Sequence, residues 1–463
     1  MPIKIINYFI GLAFVFLTFF ISYQTDRSDF VQLILLYVGF FALYLLAYRN
    51  TKSQQTLHLY IGIAIVVRLL LVFTIPNLSD DIFRFIWDGK LWHAGINPFD
   101  ALPSYYAENG FPKSLNMSLY QQLNSPNYFT IYPPIAQLTF YVATFARDIF
   151  WSSVVMKLFL LAAEIGSIWI LIQLFKDDNL PKSLQRRDFY KPQVPPSEGF
   201  REAKTINNKK RILLYILNPL IIIEIMGNLH FEGVMIFFLL LSYYWLKKGW
   251  FSASAIAFAF SIASKLLPLM FLPFLIHKLG WKQSFKYFTI VGVVTIILFY
   301  PLLGSFFIEN FGNSLNLYFQ KFEFNASIYY ALRWLGFQIS GYNLIQVLGP
   351  LLALSVGISI FVIALKNKSK RLEILPEQWL LAIMLYLLCT TTVHPWYVAL
   401  PIVLCLFTNY RFPIVWSALI FLTYVNYSYS EYFENLWMVT IEYSLVIGYL
   451  VYEIRNNTNY SDV

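Results

Sequence analysis

Charge is scarce in this sequence. Asp, Glu, Lys and Arg make up 13% of its 463 residues, about half of the roughly 25% that a soluble domain carries. That deficit excludes an ordinary water-soluble enzyme. Disorder is excluded as well, because it needs low hydrophobicity and high net charge. Cysteine is nearly absent: Cys389 and Cys405 both sit inside apolar runs and offer neither a disulfide framework nor metal-ligand spacing. No Walker phosphate loop, dinucleotide-binding glycine pattern, HEXXH or CXXC motif occurs. With no ATP site, any chemistry must draw on an activated substrate or an existing gradient.

Apolar and aromatic residues fill the space that charge leaves. The chain is 58% hydrophobic, with 44 Phe, 33 Tyr and 12 Trp, and its mean hydropathy is +0.58. It reads as an all-α polytopic membrane protein. About 20 apolar residues span a bilayer, and runs of that kind fall at 5–22, 30–48, 57–76, 153–175, 212–227, 231–246, 250–264, 287–301, 341–365, 377–393, 412–426 and 436–454. Shorter runs at 266–277 and 396–408 contain Pro268, Pro273 and Pro401. Together they predict a bundle of about 14 membrane helices, within a range of 12–15. The first run lacks a small-residue cleavage site at its end and reads as a retained helix. No internal repeat is visible, and the whole of 1–463 reads as a single integral-membrane domain.

The net charge of +9 suggests nucleic acid only until it is sorted by position. Excess Lys and Arg mark cytoplasmic loops. Arg49 and Lys52 place the loop after the second run inside, and with it the N-terminus. The segment 77–130 then lies outside, with five acids against three bases, whereas the loop 176–211 carries ten bases against five acids and belongs inside. These assignments agree only if 129–148 does not cross. Its opening Tyr132-Pro133-Pro134 suits a helix start, since Pro is tolerated in the first turn, and the segment is expected to lie along the outer face or to re-enter. Both termini are then cytoplasmic, the first outer loop is 77–150, and a second outer loop is 302–340.

Polar residues gather at the outer ends. Within Asn77 to Pro103, Ser79 can cap a helix whose first turn carries Asp80 and Asp81. Asp80, Arg84 and Asp88 share one face at helical spacing, which would leave Asp80 to Arg84. A second cluster runs from Ile216 to Gly233: Glu224 lies inside a span, where an acid is a functional candidate by default, and Asn228, His230 and Glu232 follow at its outer end. A third, Thr390 to Pro401, holds His394 beside Trp396 and Tyr397. Lys265 stands at the mouth of two short helices, and Arg333 and Glu323 lie in the second outer loop. Arg68 and Glu164 suit a structural ion pair. A bland reading exists for each residue alone: a capped surface helix, an interfacial histidine, a snorkelling lysine or an aromatic belt.

Taken in order, the segments SDDIFRFIWDGKLWHAGINPFDALP, YPPIAQL, LNPLIIIEIMGNLHFEG, SIASKLLPLMFLPF and VHPWY resemble the GT-C superfamily of integral-membrane glycosyltransferases, in particular polyprenyl-phosphate-mannose-dependent mannosyltransferases. The resemblance runs from about residue 70 to 400. It implies a GT-C-type bundle whose long first outer loop is catalytic and contains amphipathic or re-entrant helices. It also implies an inverting hexosyltransferase, with mannose as the sugar, that moves the sugar from a polyprenyl-phosphate donor to a lipid-linked or glycan acceptor. By similarity Asp80 and Asp81 take the acidic motif's place and one of them acts as base. Lys265, His394 and Arg333 would hold the donor phosphate. Asn228, His230, Glu232, Asp88, Tyr132, Trp396 and Tyr397 would hold sugar or acceptor. The adjacent aspartates differ from the family's Asp-X-Asp, so no metal or other cofactor is expected. Membrane lipids are the remaining partners, and no nucleic acid is expected.

Two rival readings come from other classes. In a transporter or lipid flippase, Glu224, Glu164 and Arg68 would be coupling groups near the midplane, and inverted repeats would be common. In a non-catalytic membrane assembly subunit, the outer loops would tolerate loss of Asp80, Asp81 and His394. The compact loops and the lack of a retention signal favour a bacterial inner membrane, with the site facing the periplasm or exterior.

Overall fold

The computed structural model describes residues 4–146, 148–176, 205–429 and 433–458. The architecture is an all-α polytopic membrane bundle, and no strand occurs among the described residues; a lone bridge pairs Phe324 with Thr392. Eight helices are long and apolar enough to cross a bilayer, from Ile5–Gln24 to Leu436–Asn456, and a ninth span arises if the bent pair Ile221–Gly227 and Glu232–Lys247 counts as one. Four shorter apolar helices, Phe251–Ser264, Leu267–Leu279, Pro395–Cys405 and Phe412–Tyr427, occupy the remaining runs. Most of the basic loop 176–211 lies outside the described residues.

Packing explains how the short helices persist. Irregular or short helical backbone at membrane depth is tolerated where protein surrounds it. Residues 212–236 are buried without a break, and so is the helix Ala399–Cys405. The buried stretch contains a π-helical turn, Ile221–Gly227, and a bend of 108° into Glu232–Lys247. The central segment therefore enters, turns and leaves without meeting lipid.

Charges inside this core are matched. The Arg68 guanidinium meets Glu164 through Nε at 2.9 Å and Nη2 at 2.8 Å, with both side chains 0% exposed. Tyr215 donates its hydroxyl to the other Glu164 oxygen, and Arg68 Nη1 donates to the Ala64 and Ile216 carbonyls. The pair ties three segments together and leaves neither group open to a path across the membrane. Lys157 Nζ donates to the Gly227 carbonyl at 2.9 Å and to Thr74 Oγ1, securing the end of the π-helical turn.

The segment 77–150, expected as the first outer loop, folds as four helices, Asp81–His93, Pro103–Asn109, Met117–Tyr120 and Pro134–Ala143. At 10 residues the last is only about 15 Å long, too short to cross, in line with the charge pattern. It packs flat on Asp81–His93 because Gly89 lets the backbones meet: a Cβ there would lie 2.4 Å from the Phe140 carbonyl oxygen. The segment 302–340, expected as the second outer loop, carries Phe307–Gln320 and Ile328–Ser340. It is tied to the first by Asn97, which donates to the Leu302 carbonyl, and by Asn310, which donates to the Phe99 carbonyl.

Gly89→Ala should force these two helices apart at a cost of about 1–3 kcal/mol. The expected outcome is a lower Tm in detergent than for Gly62→Ala, where a Cβ meets open space. Equal melting of the two variants would show that the close approach contributes nothing. In the core, Arg68→Leu should cost roughly 3–5 kcal/mol by leaving Glu164 unpaired. Combining it with Glu164→Leu should recover much of the lost Tm.

Candidate functional site

A cavity of about 310 Å³ opens where the helix ends expected outside converge. Its walls come from the connection after the first span (Arg27), the start of the first outer helix (Ser79, Asp80, Asp81, Arg84), the 124–132 segment, the bend at Leu229 to Phe231, Lys265, the 394–397 turn, and Tyr424 and Tyr427. Thus Asp80, Asp81, His230, Lys265, His394, Tyr132, Trp396 and Tyr397, far apart in the chain, line one space.

Asp81 is held from two sides. Tyr132 donates its hydroxyl to Oδ2 at 3.0 Å, and Asn124 donates its amide to Oδ1 at 3.0 Å. Both donors are neutral, so they set the direction of the carboxylate without forming an ion pair with it. Asp80 instead forms a rim ion pair with Arg27 at 2.5 Å, and the guanidinium also lies 5.0 Å from the Tyr427 ring centroid. This corrects the expected pairing of Asp80 with Arg84. Asp80 occupies the N-cap position with non-helical partners around it, and Arg84, one turn on, points inward. Its Nε meets Asp88 at 2.9 Å, and its Nη1 donates to the Tyr128 and Ser125 carbonyls. Ser79, expected as the cap, accepts only a long 3.4 Å contact from the Asp81 amide.

Asp88 is therefore not a pocket residue. It is 0% exposed and accepts from Gln137 at 2.8 Å, while Gln137 accepts from the Trp92 indole at 2.9 Å. The helix Asp81–His93 is buried on both faces, including Arg84, Asp88, Ile86, Trp87 and Leu91. It is not the solvated amphipathic surface helix that its spacing suggests. Its charged face meets the 124–137 segment, whose backbone carbonyls and Gln137 satisfy the charges.

On the opposite wall Lys265 is 18% exposed and meets the buried Glu232 at 2.7 Å, with the Tyr397 ring 5.6 Å away. Glu232 Oε2 has no hydrogen-bond partner. Between the walls runs a ring stack. His230 lies 3.6 Å from Trp396, Trp396 lies 4.5 Å from His394, and His394 lies 4.8 Å from Phe324. The backbone helps to aim His230, because Leu229 just before it adopts φ of 64°, a left-handed conformation that a branched side chain adopts only under outside constraint.

The other candidates lie elsewhere. Asn228 is buried behind the pocket, accepting from the Leu78 amide at 3.3 Å and donating to Glu224 at 3.2 Å. Arg333 pairs with Glu323 at 2.5 Å and stacks over Tyr330, outside the cavity lining. Glu224 is likewise a support: it accepts from Tyr424 at 2.6 Å, and His230 Nε2 stands 3.3 Å away. Sequence reading missed Arg27, Asn124, Tyr424 and Tyr427. Arg27 sits in a short polar connection that resembles any surface turn, and the two tyrosines resemble an aromatic belt. Among the described residues no group of three or more His, Cys, Asp and Glu is placed to hold a metal ion.

Burial in the stack pushes the His394 imidazole down to about 3, with the nearby His230 and Lys265 adding to the drop and Asp81 opposing it. His394 is therefore neutral near pH 7, and Lys265 is the cation on that wall. An unfolded histidine titrates near 6.5, so the unfolded state binds the extra proton between about pH 6.5 and 3. The stabilisation is complete above about pH 6.5 and is lost as pH falls through that window. Tm should drop on acidification below pH 6.5, and the drop should be shallower in His394→Asn. Identical slopes would place the imidazole in water.

The fold and cavity define a class: a polytopic helical membrane protein with a polar, aromatic-walled pocket at one end of its bundle. A family model described as GPI transamidase subunit PIG-U matches residues 112–330, a little under half of the chain. The match takes in the 124–132 wall, the Leu229–Phe231 bend, Lys265 and Phe322. No curated protein matches the chain. The matched description corrects the expected activity. A hexosyltransferase with a polyprenyl-phosphate donor and a glycan acceptor is replaced by a family named for a subunit of a transamidase. The physical reason is that weak motifs in a shared order report a shared membrane architecture, and architecture does not carry chemistry with it. The matched description gives the transporter alternative no support either, and Glu164, Arg68 and Glu224 have buried partners that suit a structural role.

Proposed function

We propose that this chain is a non-catalytic membrane subunit that seats a sugar-phosphate portion of a GPI-type glycolipid and presents it to a partner subunit carrying the transamidation chemistry. The observation that carries the reading is the division of charge in the pocket. Asp81, oriented by Tyr132 and Asn124, faces the cavity from one wall, Lys265 faces it from the other, and the Trp396 stack lies between. A carboxylate accepts hydrogen bonds from hydroxyl or ammonium groups, a lysine binds phosphate as a point charge, and an aromatic face takes the apolar side of a sugar ring. A glycosylated phospholipid offers all three. The matched family's name supplies the class of lipid and of assembly. In this reading Asp80, Asp81, His230, Lys265, His394, Tyr132, Trp396 and Tyr397 are binding residues, and no metal takes part.

The charge pattern supports an orientation with both termini and the basic 176–211 loop in the cytoplasm. The pocket then faces the opposite side of whichever membrane carries the glycolipid in that leaflet.

The test is retention of a glycosylphosphatidylinositol by the full chain in lipid nanodiscs, read by native mass spectrometry. Wild type should retain it in preference to phosphatidylinositol. Asp81→Asn and Lys265→Met should each weaken retention about tenfold, the equivalent of roughly 1.4 kcal/mol. Asp81→Asn should do so without lowering Tm, whereas Lys265→Met should also lower Tm because it unpairs the buried Glu232. Retention that neither substitution changes, or no preference over phosphatidylinositol, would overturn the assignment.

A further inference from the structure

A second cavity, of about 300 Å³, lies at the opposite end of the bundle. The helix Leu375–Cys389 links the two sites: it starts at this cavity and ends shortly before His394. The walls are mainly apolar, with Ile363, Leu380, Leu381, Met384, Leu450 and Ile454, and they come from three membrane helices and the start of Phe412–Leu419. The polar lining residues are Asn367, Glu377, Gln378 and Tyr410.

Two of these groups have no protein partner among the described residues, and one of them is buried. Glu377 has no ion pair or hydrogen bond among the described residues, although Lys366, Lys368, Lys370 and Arg371 stand nearby in the sequence. Arg371 turns to Glu373, and the intervening chain is held by Lys278, which donates to the Ser369 carbonyl. Gln378 is only 7% exposed, and neither its Oε1 nor its Nε2 has a partner among the described residues. A buried amide without partners costs about 1–3 kcal/mol, and the exposed Glu377 carboxylate beside it, at the cavity mouth, is placed to meet a cation.

We infer that this cavity binds a glycerophospholipid whose headgroup carries a primary ammonium. The apolar walls take an acyl chain, the ammonium meets Glu377, and the amide of Gln378 finds an acceptor in the phosphate or ester oxygens and a donor in the ammonium. A trimethylated headgroup keeps the positive charge but has no N–H to donate. A glycerol headgroup donates hydrogen bonds but brings no cation to Glu377. The phosphoethanolamine type alone among these satisfies both groups.

The test uses the full chain reconstituted with equal amounts of phosphatidylethanolamine and phosphatidylcholine, with the lipid retained after detergent extraction measured by native mass spectrometry. Phosphatidylethanolamine should be retained about tenfold over phosphatidylcholine, and stepwise N-methylation of the headgroup should lower retention at each step. Glu377→Gln should bring the ratio close to one, as should Gln378→Leu. If Gln378→Leu fails to fold, the methylation series on the wild-type chain carries the test. Equal retention of the two lipids, a ratio unchanged in Glu377→Gln, or a polypeptide crosslinked at position 381 in place of lipid would overturn the inference.

Discussion

The pocket hangs on one buried carboxylate. Glu224 lies inside the apolar core, where an unpaired charge would be costly. Its two oxygens are occupied by the Tyr424 hydroxyl, the Asn228 amide and the neighbouring His230 ring. Glu224 sits on the π-helical segment, and its partners come from the bend after it and from a helix two hundred residues later in the chain. Satisfying the charge therefore fixes the bend and that helix relative to one another. Asn228 extends the network to the Leu78 amide, at the threshold of the first outer helix, so the aspartates are registered against the same support. An intramembrane acid invites a functional role, but here its function is to hold others in place.

A second polar set does the same work further out. Arg84, Asp88, Gln137 and Trp92 form a continuous chain of buried hydrogen bonds across the outer helices. Arg84 also gathers the carbonyls of the 125–128 segment, which carries the Asp81 partner Asn124 on one flank and Tyr132 on the other. Buried polar networks confer specificity only when fully satisfied, and this one is. The pocket's own groups differ in kind. Asp81 has neutral donors, Lys265 is partly exposed and paired with Glu232, and His394 is neutral through burial, leaving a carboxylate without a cation on one wall and a carboxylate-paired lysine on the other.

The pairing of family resemblance and family match is instructive. The five segments that resemble membrane glycosyltransferases are real features of this chain, and most of them do surround the cavity. Residues such as Asp81, His394 and Lys265 serve equally to bind a phosphorylated sugar or to act on one. The family match, which spans only the middle of the chain, leaves unchanged which residues line the pocket. A site's geometry limits its ligand class more tightly than it limits the reaction.

The all-α membrane class and the rough positions of the helices were determined by the sequence alone, because bilayer thickness acts on local composition. So was the non-crossing nature of the segment ending in Pro134–Ala143. The partners of each charge were decided only by tertiary structure. Asp80, Arg84 and Asp88 share a helical face, yet one turns to Arg27, one inward and one to Gln137. Arg27, Tyr424 and Tyr427 give no local signal at all. Local spacing states which groups can meet along one helix, whereas a buried charge is satisfied by whichever donor the packed bundle brings to it.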